Sequence, residues 1–351
     1  MEDNSSSGDE GLTYERAGVS IEAQDAAIEL IKPLAASTHT PSVLAGVGGF
    51  AAAFEADFAG YQNPVLVSST DGVGTKVKLA ARFDAWEEVG WDCVAVCVND
   101  LVTTGARPLF VLDYIACHRL EPAVVERIVT GIRDACLECG CALLGGELAE
   151  MRDVYAKGEA DLAGFAVGVV DGQRRIDGST VVSGDVVLGF PSSGIHANGL
   201  TLARKVFAGL SDAEWRAHNE ELGCSLASEL LRPTIIYYRW LQELAAAEIE
   251  IKALAHISGG GLPGNAARML PPGLDVRIVR SAIPVHPIFK LIARTGPVGE
   301  SEMWRTFNMG LGLTLVLAPE QAEAALELPQ FQRTLHRVGE IAPGTGRVVL
   351  L

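Results

Sequence analysis

Short unbroken apolar runs alternate along this chain with longer stretches in which apolar residues return every three or four positions, the pattern of strands interleaved with helices. In the first half, Val65–Ser69, Cys93–Asn99, Pro108–Ala116 and Leu162–Val170 read as strands, and Ile21–Ala36 and Glu121–Cys139 as helices. The turn-rich Asp171-Gly172-Gln173 closes that half. Beyond it, strands are predicted at Val186–Phe190, Val276–Val279, Gly310–Leu317 and Val348–Leu351, with helices at Leu200–Phe207, Ser228–Ala247 and Glu320–Glu327. The chain thus divides into a loose polar tail over residues 1–11 and two halves, 12–172 and 173–351. Each half is an α/β or α+β unit whose chemistry is expected on the loops at strand ends.

Those loops are rich in glycine and acid. Val65-Leu66-Val67 runs into Asp71-Gly72-Val73-Gly74-Thr75-Lys76, a strand-to-helix turn. Its glycines let backbone N–H groups approach an anion, Lys76 supplies positive charge, and Asp71 is a candidate ligand for the Mg2+ that accompanies a nucleotide. The spacing is not that of a Walker A loop, and a plain glycine-closed turn is the competing reading. Asn99-Asp100 and Gly145-Gly146-Glu147 likewise follow apolar runs. Asp71, Asp100 and Glu147 therefore form a candidate set of hard oxygen ligands, with helix capping as the alternative for each. In the second half, Ser193-Gly194-Ile195-His196-Ala197-Asn198-Gly199 and His256-Ile257-Ser258-Gly259-Gly260-Gly261 each offer N–H donors ahead of a predicted helix.

Composition narrows the class. A chain of 351 residues with 48% hydrophobic content has material for two cores. A formal net charge of -16 argues against a nucleic-acid binder, so anionic small molecules must be met by local devices. No apolar run is long enough to span a membrane, and the expected location is the cytosol. Cys136, Cys139 and Cys141 lack a matching Cys or His pair and are read as buried thiols, not zinc ligands.

Taken in order, Ala45-Gly46-Val47-Gly48-Gly49-Phe50, Thr70–Lys76, Cys97-Val98-Asn99-Asp100-Leu101-Val102, Leu112-Asp113-Tyr114, Gly145-Gly146-Glu147, Asp161–Phe165, the His196 loop, Gly259–Gly261 and Arg305-Thr306-Phe307-Asn308 resemble the phosphoribosylformylglycinamidine cyclo-ligases, or aminoimidazole ribonucleotide synthetases. The resemblance covers almost the whole chain. It implies a homodimer whose amino-terminal sheets pair into a shared β-barrel, with α/β layers outside it. It also implies ATP-dependent closure of formylglycinamidine ribonucleotide to aminoimidazole ribonucleotide. On this basis ATP and Mg2+ are expected at Lys32, Gly48, Gly49, Asp71, Gly72, Gly74, Thr75, Lys76, Asn99, Asp100, Gly146 and Glu147. Substrate is expected at Ser193, Gly194, His196, Asn198, Gly259, Gly260, Arg305 and Asn308, with His196, Lys76 and Asp100 as the catalytic candidates.

The chain departs from the family pattern at Leu148, where a threonine is usual, and at Arg152 and Ile195, where prolines are usual. Loss of that hydroxyl costs about 0.5–1.5 kcal/mol if it touches ATP or metal. Two other readings stand beside the cyclo-ligase: a phosphoryl-transfer enzyme of the thiamine-monophosphate kinase type, and a catalytically idle nucleotide-binding relative.

Overall fold

The computed structural model describes residues 13–351; the tail expected at 1–11 lies outside them. Two sheets organise the chain. In the amino-terminal half, strands Pro64–Gly72, Ala160–Asp171, Arg107–Cys117 and Ala142–Glu150 lie side by side in that order. The first three are antiparallel and the last pair is parallel. One face is covered by helices Trp86–Val102 and Pro122–Cys139, while the other exposes Leu66, Tyr114 and Phe165.

The Trp86–Val102 helix corrects the reading of Cys93–Asn99 as a strand. Val94, Val96 and Val98 alternate with smaller residues, which suits a strand, but here every residue from Cys93 to Asn99 is buried. A helix packed on all sides has no polar stripe to reveal its period. It lies directly on the sheet, because a Cβ on Gly164 would meet the Cys93 carbonyl at 2.6 Å. Gly90 and Gly131 let it cross the Pro122–Cys139 helix backbone to backbone: a Cβ at Gly131 would fall 1.9 Å from the Glu87 carbonyl. Asp100 is therefore on a helix, not at a strand end. Glu147 is also not at a strand end, since the strand runs on from Ala142 to Glu150.

In the carboxy-terminal half, six strands run in the order Ala253–His256, Leu311–Leu317, Val186–Pro191, His336–Pro343, Leu274–Ile278, Val348–Leu350. All neighbours are antiparallel except the last pair. The helix expected over Ser228–Ala247 is broken into Leu226–Leu231 and Tyr238–Ala246. Pro233 explains the break, since it disfavours the helical region for Arg232 and lacks an N–H. Cys136, Cys139 and Cys141 are buried free thiols, and the Cys141 N–H donates to the Cys136 carbonyl at 3.0 Å to close the helix end.

Candidate active site

The residues singled out in the sequence fall into two groups, one on each side of the Trp86–Val102 helix. Cross-strand register puts Asp71, Gly164, Asp113 and Gly146 in one row on the helix-covered face of the sheet. The helix sits on Gly164, so Asp71 emerges on one side of it and Asp113 on the other.

The first group lies between the two halves of the molecule. Thr75 Oγ1 meets Thr201 Oγ1 at 2.8 Å, which brings the Asp71–Lys76 turn against the helix that follows the His196 loop. Asp100 Oδ1 accepts from His256 Nδ1 at 2.8 Å, which ties the carboxylate to the strand that leads into Gly259–Gly261. Asp71 feels both: burial raises its pKa most, the Asp100 charge raises it further, and His256 opposes this. Two carboxylates that repel one another beside an interdomain groove are a natural place for a cation. The groove next to Asp100 and His256 encloses about 360 Å³ and is also lined by Asp177, Asn265 and Arg268.

Lys76 does not stand free in this group. Its ammonium is fully buried, 2.5 Å from Asp92 Oδ2, and donates to the Arg232 carbonyl at 2.7 Å. Direct contact with phosphate is thus corrected to an internal ion pair; the Gly72 N–H donates to Asp71 Oδ1 and the Val73 N–H to the Leu162 carbonyl, which leaves the Gly74 and Thr75 N–H groups as the turn's anion donors. Asn99, expected at the nucleotide, is also fully buried: Nδ2 donates to the Ile235 carbonyl at 2.7 Å and Oδ1 accepts from the Tyr237 N–H at 3.0 Å.

The substrate candidates of the second half converge. Asn308 Nδ2 donates to the carbonyls of Gly194 and Ile195, and its Oδ1 accepts from Ser192 Oγ and the Gly310 N–H. All its polar capacity serves the loop, so Asn308 is a loop anchor and the substrate contact assigned to it is corrected. Gly259 lies beside Asn198, where a Cβ would come within 3.2 Å of Asn198 Oδ1. Gly260 carries φ 98, open to glycine and strained for other residues. Arg305 is exposed at the end of the Glu300–Thr306 helix.

His196 itself has φ 65, a left-handed backbone for a non-glycine residue. Its ring is 4% exposed; Nε2 accepts from the Ser193 N–H at 3.1 Å, which places the proton of the neutral ring on Nδ1. Nδ1 is buried and has no partner among the described residues. Burial above all, then the charges of His256, Lys76 and His286, holds its pKa well below the usual range. At neutral pH the ring is a neutral donor, not an imidazolium.

The second group lies on the other side of the helix, in a cleft of about 550 Å³ lined by Lys32, Gly48, Gly49, Asp113, Gly146 and Glu147. Lys32 packs near Gly48 and pairs with Glu29 at 2.5 Å. Asp113 was not singled out as a site residue, though an acid inside the apolar run Leu109–Ala116 is a signal the sequence does carry. Burial pushes its carboxyl up to about 7, and only a glycine at position 146 leaves it room, since a Cβ there would fall 2.2 Å from Asp113 Oδ1.

Three acids do not close around one ion within a single chain. Asp71 and Gly146 are three strand spacings apart, about 14 Å, and Glu147 points to the opposite face from Gly146. Among the described residues no cluster of three or more His, Cys, Asp or Glu side chains is arranged to hold a metal. Leu148 packs against the core, Ile195 is buried, and Arg152 lies over Gly18 while bonding Glu150, so the three departures from the family pattern are absorbed as packing and surface contacts.

Known proteins resemble this chain over nearly its whole length. Residues 51–170 match the AIR synthase related protein N-terminal domain and residues 182–351 the corresponding C-terminal domain. A phosphoribosylformylglycinamidine cyclo-ligase of Carboxydothermus hydrogenoformans is 48% identical over 97% of this chain and 99% of its own. One from Geobacillus kaustophilus is 46% identical over 95% and 96%. Among solved structures, thiamine-monophosphate kinase from Stenotrophomonas maltophilia K279a superposes with a TM-score of 0.68 at 20% identity, over 93% of this chain and 95% of that one. The hydrogenase maturation protein HypE in complex with ATP gives 0.62 at 19%, over 98% and 92%. These two share the fold, whereas the near-full-length identity reaches further: the chain belongs to the phosphoribosylformylglycinamidine cyclo-ligase family.

Proposed function

We propose that the protein uses ATP to close the imidazole ring of formylglycinamidine ribonucleotide, yielding aminoimidazole ribonucleotide for purine synthesis. The formyl amide oxygen is phosphorylated, the amidine-side nitrogen attacks the formyl carbon, and the oxygen departs with phosphate. The observation that carries this reading is the kinship with cyclo-ligases over nearly the whole length of both chains. The kinase-type alternative rests on fold alone, at 20% identity.

The groove between the halves is assigned to the reacting groups. Asp71 and Asp100 fit Mg2+: they are hard oxygen donors whose mutual repulsion a cation relieves. A pair of carboxylates leaves coordination positions for phosphate oxygens and water. When bound, Mg2+ would neutralise charge on the transferring phosphoryl group. The N–H groups of Gly74 and Thr75 orient phosphate, and Asp100 holds His256 in place. His196 presents Nδ1–H, its unpartnered ring position, to the activated oxygen when the loop turns toward substrate. Lys32, Gly48, Gly49, Asp113 and Gly146 are assigned to the nucleotide, with Glu147 at the edge of their cleft.

A homodimer in the cytoplasm completes the proposal. The apolar outer face with Leu66, Tyr114 and Phe165 is the surface through which two amino-terminal sheets pair. Glu147 points to that face and so belongs at or near the pairing surface. Purified protein with Mg-ATP and formylglycinamidine ribonucleotide should give ADP and aminoimidazole ribonucleotide in equal amounts. ATP binding or hydrolysis without the ring-closed product, in folded protein, refutes the assignment.

A further inference from the structure

Residues Arg232–Tyr237 form a segment outside the described helices and strands, although Thr234, Ile236 and Tyr237 are buried. Backbone N–H and C=O groups in such a place need partners, and here side chains supply them. Lys76 Nζ donates to the Arg232 carbonyl at 2.7 Å and Trp91 Nε1 to the Thr234 carbonyl at 2.7 Å. Asp92 Oδ1 accepts from the Thr234 N–H at 2.7 Å. Asn99 takes both the Ile235 carbonyl and the Tyr237 N–H. Trp91, Asp92 and Asn99 share one helix, and Asn99 is two turns from Asp92 on the same side.

The opposite edge of the segment is bonded to the foot of the His196 loop. Ser193 Oγ donates to the Pro233 carbonyl at 2.6 Å, Arg232 Nη1 donates to the Ser193 carbonyl at 3.1 Å, and Tyr237 OH donates to the Pro191 carbonyl at 2.8 Å. Ser193 in turn donates its N–H to His196. The segment is therefore wedged between the helix that carries Asp100 and the loop that carries His196.

We propose that Arg232–Tyr237 is a strap that sets the His196 loop against the Asp71–Asp100 carboxylates, with Trp91, Asp92 and Asn99 as its positioning residues. The inference rests on the functional reading above for the roles of His196 and the two carboxylates. It gives Asn99 a structural partner in place of the nucleotide, and it assigns a purpose to the break at Pro233: a continuous helix would use its own carbonyls and N–H groups internally and leave none to bridge the halves.

The test is Asn99→Ala, with Trp91→Phe as a milder variant that removes one bond. Ile132→Ala, a core truncation in the Pro122–Cys139 helix that removes no strap hydrogen bond, controls for lost stability. Hydrogen exchange in the whole protein should show Thr234–Tyr237 and Ser193–Ala197 losing protection together in Asn99→Ala, and not in Ile132→Ala. Turnover should fall at least tenfold in Asn99→Ala, less in Trp91→Phe, with Kd for a non-hydrolysable ATP analogue within twofold of the parent. A loosened strap with an unchanged His196 loop overturns the proposal. So does a turnover loss no larger than that of Ile132→Ala, or a selective loss of ATP-analogue binding. The exchange result stands without any cyclisation, so failure of the enzymatic reading and failure of the strap are distinguishable.

Discussion

The groove between the halves and the cleft beneath Lys32 flank the same helix, yet they handle polar side chains in opposite ways. Behind the groove, Lys76, Asp92, Asn99 and Asn308 are buried and bonded to one another or to backbone. In the cleft, Lys32 bonds its helix neighbour Glu29 alone among the described residues, while burial raises the pKa of Asp113. The difference separates two tasks. A polar residue already satisfied by protein holds a shape; one left short of partners is available to a ligand.

The sharpest way to break the comparison is Lys76→Met. It leaves the Asp92 carboxylate buried without its cation, which costs about 3–5 kcal/mol, whereas Lys76→Met with Asp92→Asn removes both charges, keeps an acceptor for the Thr234 N–H and recovers part of that loss. Denaturant unfolding reads both. Were Lys76 a phosphate ligand and not a structural pair, the single variant would keep its stability and lose ATP use.

Asp71→Asn and Asp100→Asn come next. Each should lower kcat by about 10²–10³, the range seen when one preorganised electrostatic contact is removed. Asp71→Asn should not lower the Tm, because its charged form is disfavoured in the fold by burial and by Asp100. Unchanged steady-state kinetics would remove either residue from the metal assignment.

Smaller effects separate the two regions by pH. Asp113 has its folded pKa raised to about 7 from 3.8, so between those values the folded protein holds a proton that the unfolded chain has released. Its contribution makes stability fall as pH rises through that window and level off above 7; Asp113→Asn should flatten this part of the curve. His196 acts in the other direction. Its folded pKa lies well below 6.5, so the unfolded chain takes up the proton first and stability falls as pH drops below about 6.5. His196→Asn, which tolerates φ 65, should remove that acid slope. Unfolding curves at pH 5, 6.5 and 8 read both slopes.

The smallest expected change is in Lys32→Ala. An exposed pair with Glu29 contributes about 0–1 kcal/mol, so the Tm should stay nearly constant. KM for ATP should rise severalfold if the cleft holds the nucleotide, and remain unchanged if it does not.

Much of this site was legible in the sequence, and the misses have physical causes. The glycine loops at Asp71, His196 and Gly259 were readable because close backbone approach leaves a local mark, and Thr75–Thr201 and Gly259–Asn198 show that they do meet. The Cys93–Asn99 helix was misread because total burial erases the alternation of polar and apolar faces. Lys76 and Asn99 looked like ligand contacts because sequence shows charge and spacing but not which groups a buried side chain finds; their partners Asp92 and Arg232–Tyr237 are distant in the chain. Glu147 failed to join Asp71 and Asp100 for a topological reason, since strand order across a sheet is not written in any one strand.

The central claim is that ATP is spent on the formyl amide oxygen of the substrate. Formylglycinamidine ribonucleotide labelled with 18O at that oxygen, turned over with unlabelled Mg-ATP, tests it in one measurement by mass spectrometry of the released phosphate. The account predicts that each phosphate carries one 18O atom. Unlabelled phosphate, with the 18O recovered in water, would contradict it.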